Sequence, residues 1–517
     1  MKRRIISFLL FIAIIFSFSG CAATDFTLYF GIDTIPENLD PQKAESYSEL
    51  ITVKNCFRGL LRLDENNIPV LDLAESYDIS TDEKTYTFKL KESYWSNGKK
   101  LTSRDFHFAI NRATQPLTET PTPEIFYSII GAKERLFGNQ NAILGVNSDN
   151  EDTLIITLTE PDDSFLNKIC SPAFMPCSES FFNSSGGKYG LGTKYLLTNG
   201  DYKISAWSEN NIRLKLVAEP KNSAAAKTVV LSTSTQDKGT IERICDNDIG
   251  MTVNTYDDYT KVNRNDYTVD VLYRINYSIV FNKNTAVGQN RLLTNALAQS
   301  IDINALDDML NDRYILSNGV FSTQAIISSI LTENSSESNI LSNYSAEQSR
   351  ANYLEAVKNL PGKKMPTLNI LTIDDPQIKS ILANVISKWE SNLGIFVNIK
   401  TVKNESALMQ TMKSGDYTVA FCPIGNNIDE SINLFKKGNS LDAANETIYN
   451  IIDQYNLSND FNTKLSCFKQ ITNILNSDSS LIPIISVPTA YIWYNEYSGV
   501  SFNKTDNTIY FIDIYRN

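Results

Sequence analysis

Apolar and polar residues alternate along much of the first half of the chain, and this pattern predicts strands. Residues 27–32 alternate as a strand. Residues 35–41 form a turn-rich loop, because Pro36 and Pro41 each fix φ and remove a donor. A helix is expected over 47–60, closing near Gly59, and then a strand over 61–64 that runs into a turn at Asn66-Asn67. Tyr86, Phe88 and Leu90 share one face of a strand, with Thr87 and Lys89 on the other. Trp95-Ser96-Asn97-Gly98 is a turn, and Thr102 is placed to cap the helix that follows it. Residues 153–158 alternate as a further strand.

The second half changes texture. Residues 200–207 and 212–217 form a strand pair around a polar turn, and 278–281 is another strand. Helical periodicity then dominates over 291–301, 345–359, 377–392 and 443–475, the last run broken at least once. Strands at 367–373, 395–401 and 417–421 alternate with these helices, which is the signature of an α/β unit. The Ser/Asn-rich stretch 328–342 is expected to be a mobile surface loop.

At 517 residues the chain has room for about three domains. Its 47 basic residues against 59 acidic ones give a net charge of −12, a poor electrostatic match for nucleic acid. A single histidine, His107, argues against multi-histidine metal sites and favours a packing or surface role. The acidic pairs Asp162-Asp163 and Asp257-Asp258 lack the alternating carboxylates and glycine of a calcium loop and are expected in solvated turns. No phosphate loop, nucleophile elbow or dinucleotide fingerprint is present, so neither an enzyme nor a cofactor is expected.

Residues 1–20 have the form of an export signal. Lys2, Arg3 and Arg4 precede an apolar run too short to span a membrane. The following Phe18-Ser19-Gly20-Cys21 resembles a bacterial lipobox, with Phe18 in place of the usual leucine, which implies lipidation of Cys21 and a place on the outer face of the cell membrane. Six cysteines remain beyond it, without zinc-type spacing, and buried thiols and disulfides are both open.

An ordered series of segments resembles the bacterial extracellular solute-binding proteins of family 5, the peptide-binding lipoproteins of ABC importers. Leu39-Asp40-Pro41 is similar to the family's N-terminal loop, Phe57-Arg58-Gly59-Leu60 to its FEGL segment, and Leu73-Ala74-Glu75-Ser76-Tyr77 to its LAESW. Thr198-Asn199-Gly200-Asp201-Tyr202-Lys203 is similar to its TNGAYK, and Leu393-Gly394-Ile395 and Gly415-Asp416-Tyr417 complete the series. The resemblance implies an α/β fold of the periplasmic-binding-protein type (type II, cluster C), with two lobes around a hinge and an extra domain. Domain I would comprise 22–55, 182–278 and 484–517, domain II 56–181, and domain III 279–483. The hinge would lie near 277–281 and 483–488. A monomer would capture peptide in the interlobe cleft and hand it to ABC permease subunits, without metal or nucleic acid.

The resemblance also suggests site residues. In peptide binders of the family, an aspartate after the Gly-Asp-Tyr strand holds the ligand's ammonium, a charge-assisted contact. That position falls on Asn427, whose amide cannot neutralise an ammonium; Asp429 either substitutes for it or caps the next helix. Basic cleft residues of enteric-type relatives are replaced here, with Phe421 and Ile424 at matching positions, which makes the pocket more apolar. Tyr47 and Tyr127 fall where the family lines its cleft, although packing serves equally for each. The Asn427 departure keeps a second reading open: the same fold binding a sugar, an opine-like solute or a metal chelate. A third is a receptor lipoprotein that has left transport.

Overall fold

The computed structural model describes residues 25–517 apart from 66, 235–237, 255–257, 311–312, 318, 323, 328–329, 334–343, 426–427, 459, 478 and 504–505, with backbone alone for 254, 325–327, 330–333, 429 and 430. Residues 1–20, Cys21, Asp257 and Asn427 therefore lie outside the described residues. Of the stretch 328–342, residues Ile330–Glu333 pair with Gln324–Ile327 in a hairpin rather than a loop. In sequence the short apolar runs Ile326-Ile327 and Ile330-Leu331 are obscured by the serines and asparagines around them, and residues 334–342 lie outside the description.

One large mixed sheet organises the molecule. Its strands follow the order Val397–Val402, Leu368–Ile373, Val419–Gly425, Tyr267–Phe281, Leu481–Tyr494, Met251–Asn254, Thr27–Gly31, Thr228–Ser232, Asn211–Leu216 and Tyr202–Trp207. The pairs at 368–373 are parallel to both neighbours, as are those of 27–31. Between these two parallel groups run the two long antiparallel strands Tyr267–Phe281 and Leu481–Tyr494. One end of this pair joins Val419–Gly425 and the other joins Met251–Asn254.

Apolar residues gather on both sides of that pair. One cluster, which includes Tyr277, Leu297, Leu382, Trp389, Phe421, Phe468 and Ile485, surrounds the C-terminal parallel strands. A second, which includes Leu28, Phe30, Phe57, Phe106, Leu214 and Phe511, covers the N-terminal strands. The latter also runs into an antiparallel sheet of Ala74–Ile79, Thr85–Leu90, Thr153–Thr157 and Val146–Asn150.

Local chemistry sets the boundaries of the elements. In helix Pro376–Leu393, Asp375 accepts from the amides of Gln377 and Ile378, proline occupies the first turn, and Gly394 at φ 69° closes the end. Its buried residues, Ile378, Ile381, Leu382, Val385, Trp389 and Leu393, recur at three- and four-residue steps. Burial of each large apolar side chain contributes about 1.5–3 kcal/mol. Trp389 also satisfies its indole N–H on the Leu297 carbonyl at 3.0 Å. Helix Tyr47–Cys56 stops earlier than its sequence pattern, because the Cys56 carbonyl accepts from Gly200 N at 2.8 Å and Phe57 turns extended. The long run 443–475 breaks into Glu446–Leu457 and Phe461–Asn476, the second capped by Asp460.

The two long strands are the least expected elements. Pro483 and Pro488 lack the N–H that a central strand needs. Both sit at irregularities of the ladder. Pro483 faces Ser278 at the step after Tyr277, and Pro488 faces Tyr273 at the step before Ile275. The second irregularity leaves Arg274 as the extra residue of a bulge, a device that re-aims a side chain.

The six cysteines beyond residue 24 are free thiols, five of them buried. Burial pushes the Cys170 and Cys177 thiols up to about 12, so they stay protonated and unreactive. His107 is half-buried, with Nδ1 2.9 Å from Ser148 Oγ. Asp162 accepts from Ser164 and Lys168, as a turn-capping carboxylate does.

Candidate functional site

The bulge at Arg274 lies where the two long strands pass between the apolar clusters. Arg274 is 0% exposed, although its side chain carries a charge. Its Nη2 donates to Tyr491 Oη and to Asn507 Oδ1, each at 2.8 Å. Tyr491 lies on the second long strand and donates to the same Asn507 oxygen at 2.6 Å. Asn507 holds this position with φ at 61°, the left-handed region that asparagine tolerates. Its carbonyl accepts from Tyr47 Oη at 3.3 Å. Four segments distant in sequence thus meet in one polar network: the start of helix Tyr47–Cys56, both long strands and the segment around Asn507.

The electrostatics of this network are set by burial. Burial, with Asp33, Tyr491 and Asp506 nearby, pushes the Tyr47 phenol well above its ordinary range, so it remains a neutral donor. Burial also pushes Tyr491 up to about 12. Burial lowers the Arg274 guanidinium from its usual value, against the pull of Tyr491 and Asp506, yet a guanidinium stays protonated in proteins.

Beside the network, Lys54 donates to Asp506, and Asp506 also accepts from Thr508 Oγ1 at 2.6 Å. Burial would raise the Asp506 carboxyl, but the Lys54 ammonium and these hydrogen bonds hold it below the usual carboxylate range. A depressed carboxyl contributes stability above its unfolded pKa of about 3.9, and loses it as the pH falls through the folded value. Asp506→Asn is therefore expected to destabilise the protein by about 2 kcal/mol at pH 6, the worth of a charged hydrogen bond. The difference between the urea midpoints of variant and wild type should shrink as the pH falls below about 3.9 toward the folded value. A constant difference across that range would remove the Lys54–Asp506 pair from the account.

The residues expected from sequence are placed as follows. Tyr47 belongs to the network. Phe421 is fully buried, with its ring 5.2 Å from Tyr277 and its carbonyl accepting from Thr372. Ile424 is 1% exposed and pairs with Asn276. Tyr127 is half-buried next to Phe137 and Lys133, in the region of the antiparallel sheet. Asp429 lies in the one-turn helix Ile428–Ser431, and Asn427 is outside the description. The strand that precedes both in sequence ends at Gly425, which pairs with Ile275 beside the bulge. Phe421, Ile424 and Tyr47 therefore flank one crossing of strands, whereas Tyr127 stands elsewhere.

Arg274, Tyr491 and Asn507 are not among the residues expected from sequence. The available signal is one cation inside the apolar run Val271-Leu272-Tyr273-Arg274-Ile275. Among the described residues, no cluster of three or more histidine, cysteine or acidic side chains could hold a metal, and no helix is long and apolar enough to cross a membrane.

A continuous sheet that threads two cores, with a polar network at the crossing, defines a two-lobed binding fold. Residues 69–443 match the model of bacterial extracellular solute-binding proteins, family 5 (middle part), and the chain belongs to that family. It is 22% identical over 494 residues to the dipeptide-binding protein DppE of Bacillus subtilis, covering 92% of this chain and 89% of that one. It is 24% identical over 497 residues to the periplasmic oligopeptide-binding protein OppA of Escherichia coli, covering 91% and 89%. Among solved structures, Listeria monocytogenes OppA bound to peptide superposes with a TM-score of 0.74 at 21% identity, covering 95% of this chain and 99% of that one. The expected family and the periplasmic-binding-protein fold are both borne out.

Proposed function

We propose that this protein is the extracytoplasmic substrate-binding component of an ABC importer, and that it captures peptides between two lobes and delivers them to a membrane permease. The observation that carries this reading is the end-to-end similarity to relatives named for dipeptide and oligopeptide binding. That similarity favours peptide over the sugar, opine-like and metal-chelate alternatives, and transport over a receptor role. The chain acts by binding and release rather than by catalysis.

In this reading the lobes are 22–55 with 182–278 and 484–517, and 279–483, with 56–181 as the extra domain. The separate apolar clusters support setting 279–483 apart from the rest, whereas 56–181 shares its cluster with the N-terminal strands. Ligand closes the lobes only through contacts that the open form lacks. Asn427 and Asp429, which follow Gly425 in sequence, would supply such contacts. Lipid on Cys21 would anchor the protein as a monomer to the outer face of the membrane; a diacylglyceryl thioether supplies the two chains that stable anchoring needs.

Native mass spectrometry of protein purified without denaturation tests this function. Masses that resolve into mixed short peptides are the expected result. A single non-peptide mass would keep the fold and overturn the ligand class.

A further inference from the structure

We infer that Arg274 is the carboxylate anchor of the binding site, so that the protein selects peptides with a free C-terminal acid. This rests on the peptide reading above and names the ligand group that one residue takes.

Arg274 has donors to spare. Its Nη2 serves Tyr491 and Asn507, while Nε and Nη1 are buried with no hydrogen-bond partner among the described residues. Among the described residues no carboxylate forms an ion pair with it. The nearest acid of the network, Asp506, is engaged by Lys54. Two other arginines are buried: Arg112 has its charge matched by Asp40, whereas Arg313 also keeps Nε and Nη2 without a hydrogen-bond partner among the described residues, and Arg274 is the most deeply buried of the three. A buried charge without a counterion is among the costliest features a fold can keep. Water could satisfy the free N–H groups, but water cannot neutralise the charge. An anionic ligand does both.

The position fits the role. The bulge beside Pro488 turns Arg274 out of the regular ladder. Its neighbour Ile275 pairs with Gly425, the last residue of strand Val419–Gly425. In the two-lobed reading above, opening about the crossing strands would expose this point to an entering ligand. Tyr491 and Asn507 hold the guanidinium by one nitrogen and leave the other two for the guest. The basic groups that the resemblance led one to seek around Phe421 and Ile424 are thereby supplied from the opposite strand.

Calorimetry on the purified full-length protein, freed of copurified ligand, tests the anchor. The probes are an equimolar pool of tri- to pentapeptides with free C-termini and the same pool as C-terminal amides. Wild type is expected to bind the acid pool at least about 30-fold more tightly than the amide pool, as for the loss of a buried charge-assisted contact. In Arg274→Met and Arg274→Lys the two pools should bind alike, because the methionine has no charge and the lysine lacks the guanidinium's fixed fork. Ligand-free Arg274→Met should melt higher than wild type, by roughly 2–4 °C, because it removes an unmatched charge. A purely structural arginine would instead give a lower midpoint with the acid preference intact, and that result would overturn the anchor. Equal binding of both pools by wild type would overturn it too. If wild type binds neither pool, the peptide reading itself falls, and the anchor with it.

Discussion

Asp40→Asn is expected to cost about 3–5 kcal/mol of folding stability, the penalty for leaving one partner of a buried ion pair alone. Asp40 is 2% exposed and Arg112 6% exposed. The guanidinium reaches the carboxylate with both terminal nitrogens, Nη1 to Oδ2 at 2.7 Å and Nη2 to Oδ1 at 2.5 Å. Arg112 also donates to Gln42, and lies over the rings of Phe182 and Tyr189 at 4.6 and 5.3 Å. Gln42 in turn donates to the Met175 carbonyl at 2.9 Å. The pair thus fastens the loop after the first strand to helix Ser103–Ala113 and to residues 173–175. An asparagine keeps the shape but leaves Arg112 buried and unmatched. The double change Asp40→Leu with Arg112→Met should recover part of the loss, because it removes both charges from the apolar surroundings. Urea unfolding measures each variant. A single-mutant loss under about 1 kcal/mol would mean that the loop does not depend on this pair.

Gly425→Ala should impair both stability and ligand capture. Gly425 has φ +124°, a conformation that side-chain-bearing residues rarely adopt, and a Cβ there would lie 2.4 Å from the Arg274 carbonyl oxygen. Backbone strain of this kind costs about 1–3 kcal/mol before any clash is added. The clash can be relieved only by moving the end of strand Val419–Gly425 or the bulge at Arg274, which belongs to the candidate site. The expected result is a melting midpoint lower by about 1–3 °C, the strain converted for a chain of this size. Peptide affinity should fall at least about tenfold, the equivalent of about 1.4 kcal/mol. Gly415→Ala is the control: its φ is +79°, but a Cβ there meets nothing within 4 Å. Gly415→Ala should lose stability and keep affinity. If both variants bind peptide as wild type does, Gly425 does not shape the site.

The fold was legible wherever periodicity was regular. Helix 376–393 shows its cap, its proline start, its glycine stop and its apolar stripe in sequence, and the parallel strands around it alternate with helices in the expected way. The long strands were not legible, for a physical reason. Tyr267–Phe281 shows only its last four residues as a strand, because Asp270, Arg274 and Asn276 interrupt the apolar pattern. Leu481–Tyr494 carries two prolines that argue against a central strand. Several of these interruptions have a local remedy that sequence does not display: the prolines sit at bulges, and Asn276 is satisfied by Ser486 and Gly319. The site was legible in part for the same reason. Tyr47 could be picked out by its place before a family segment. Asn507, some 460 residues away, could be tied to it only by the way the chain returns.

That return also sets the order in which the molecule can be completed. Asn55 donates to the Ile509 carbonyl at 2.9 Å and accepts from Phe511 N at 2.8 Å, and Thr27–Gly31 pairs with strands some 200 residues further on. These contacts join residues far apart in sequence, and closing such long loops is slow. The N-terminal core therefore stays unfinished until residues near 510 have emerged, so that a nascent chain remains pliant through almost its whole synthesis.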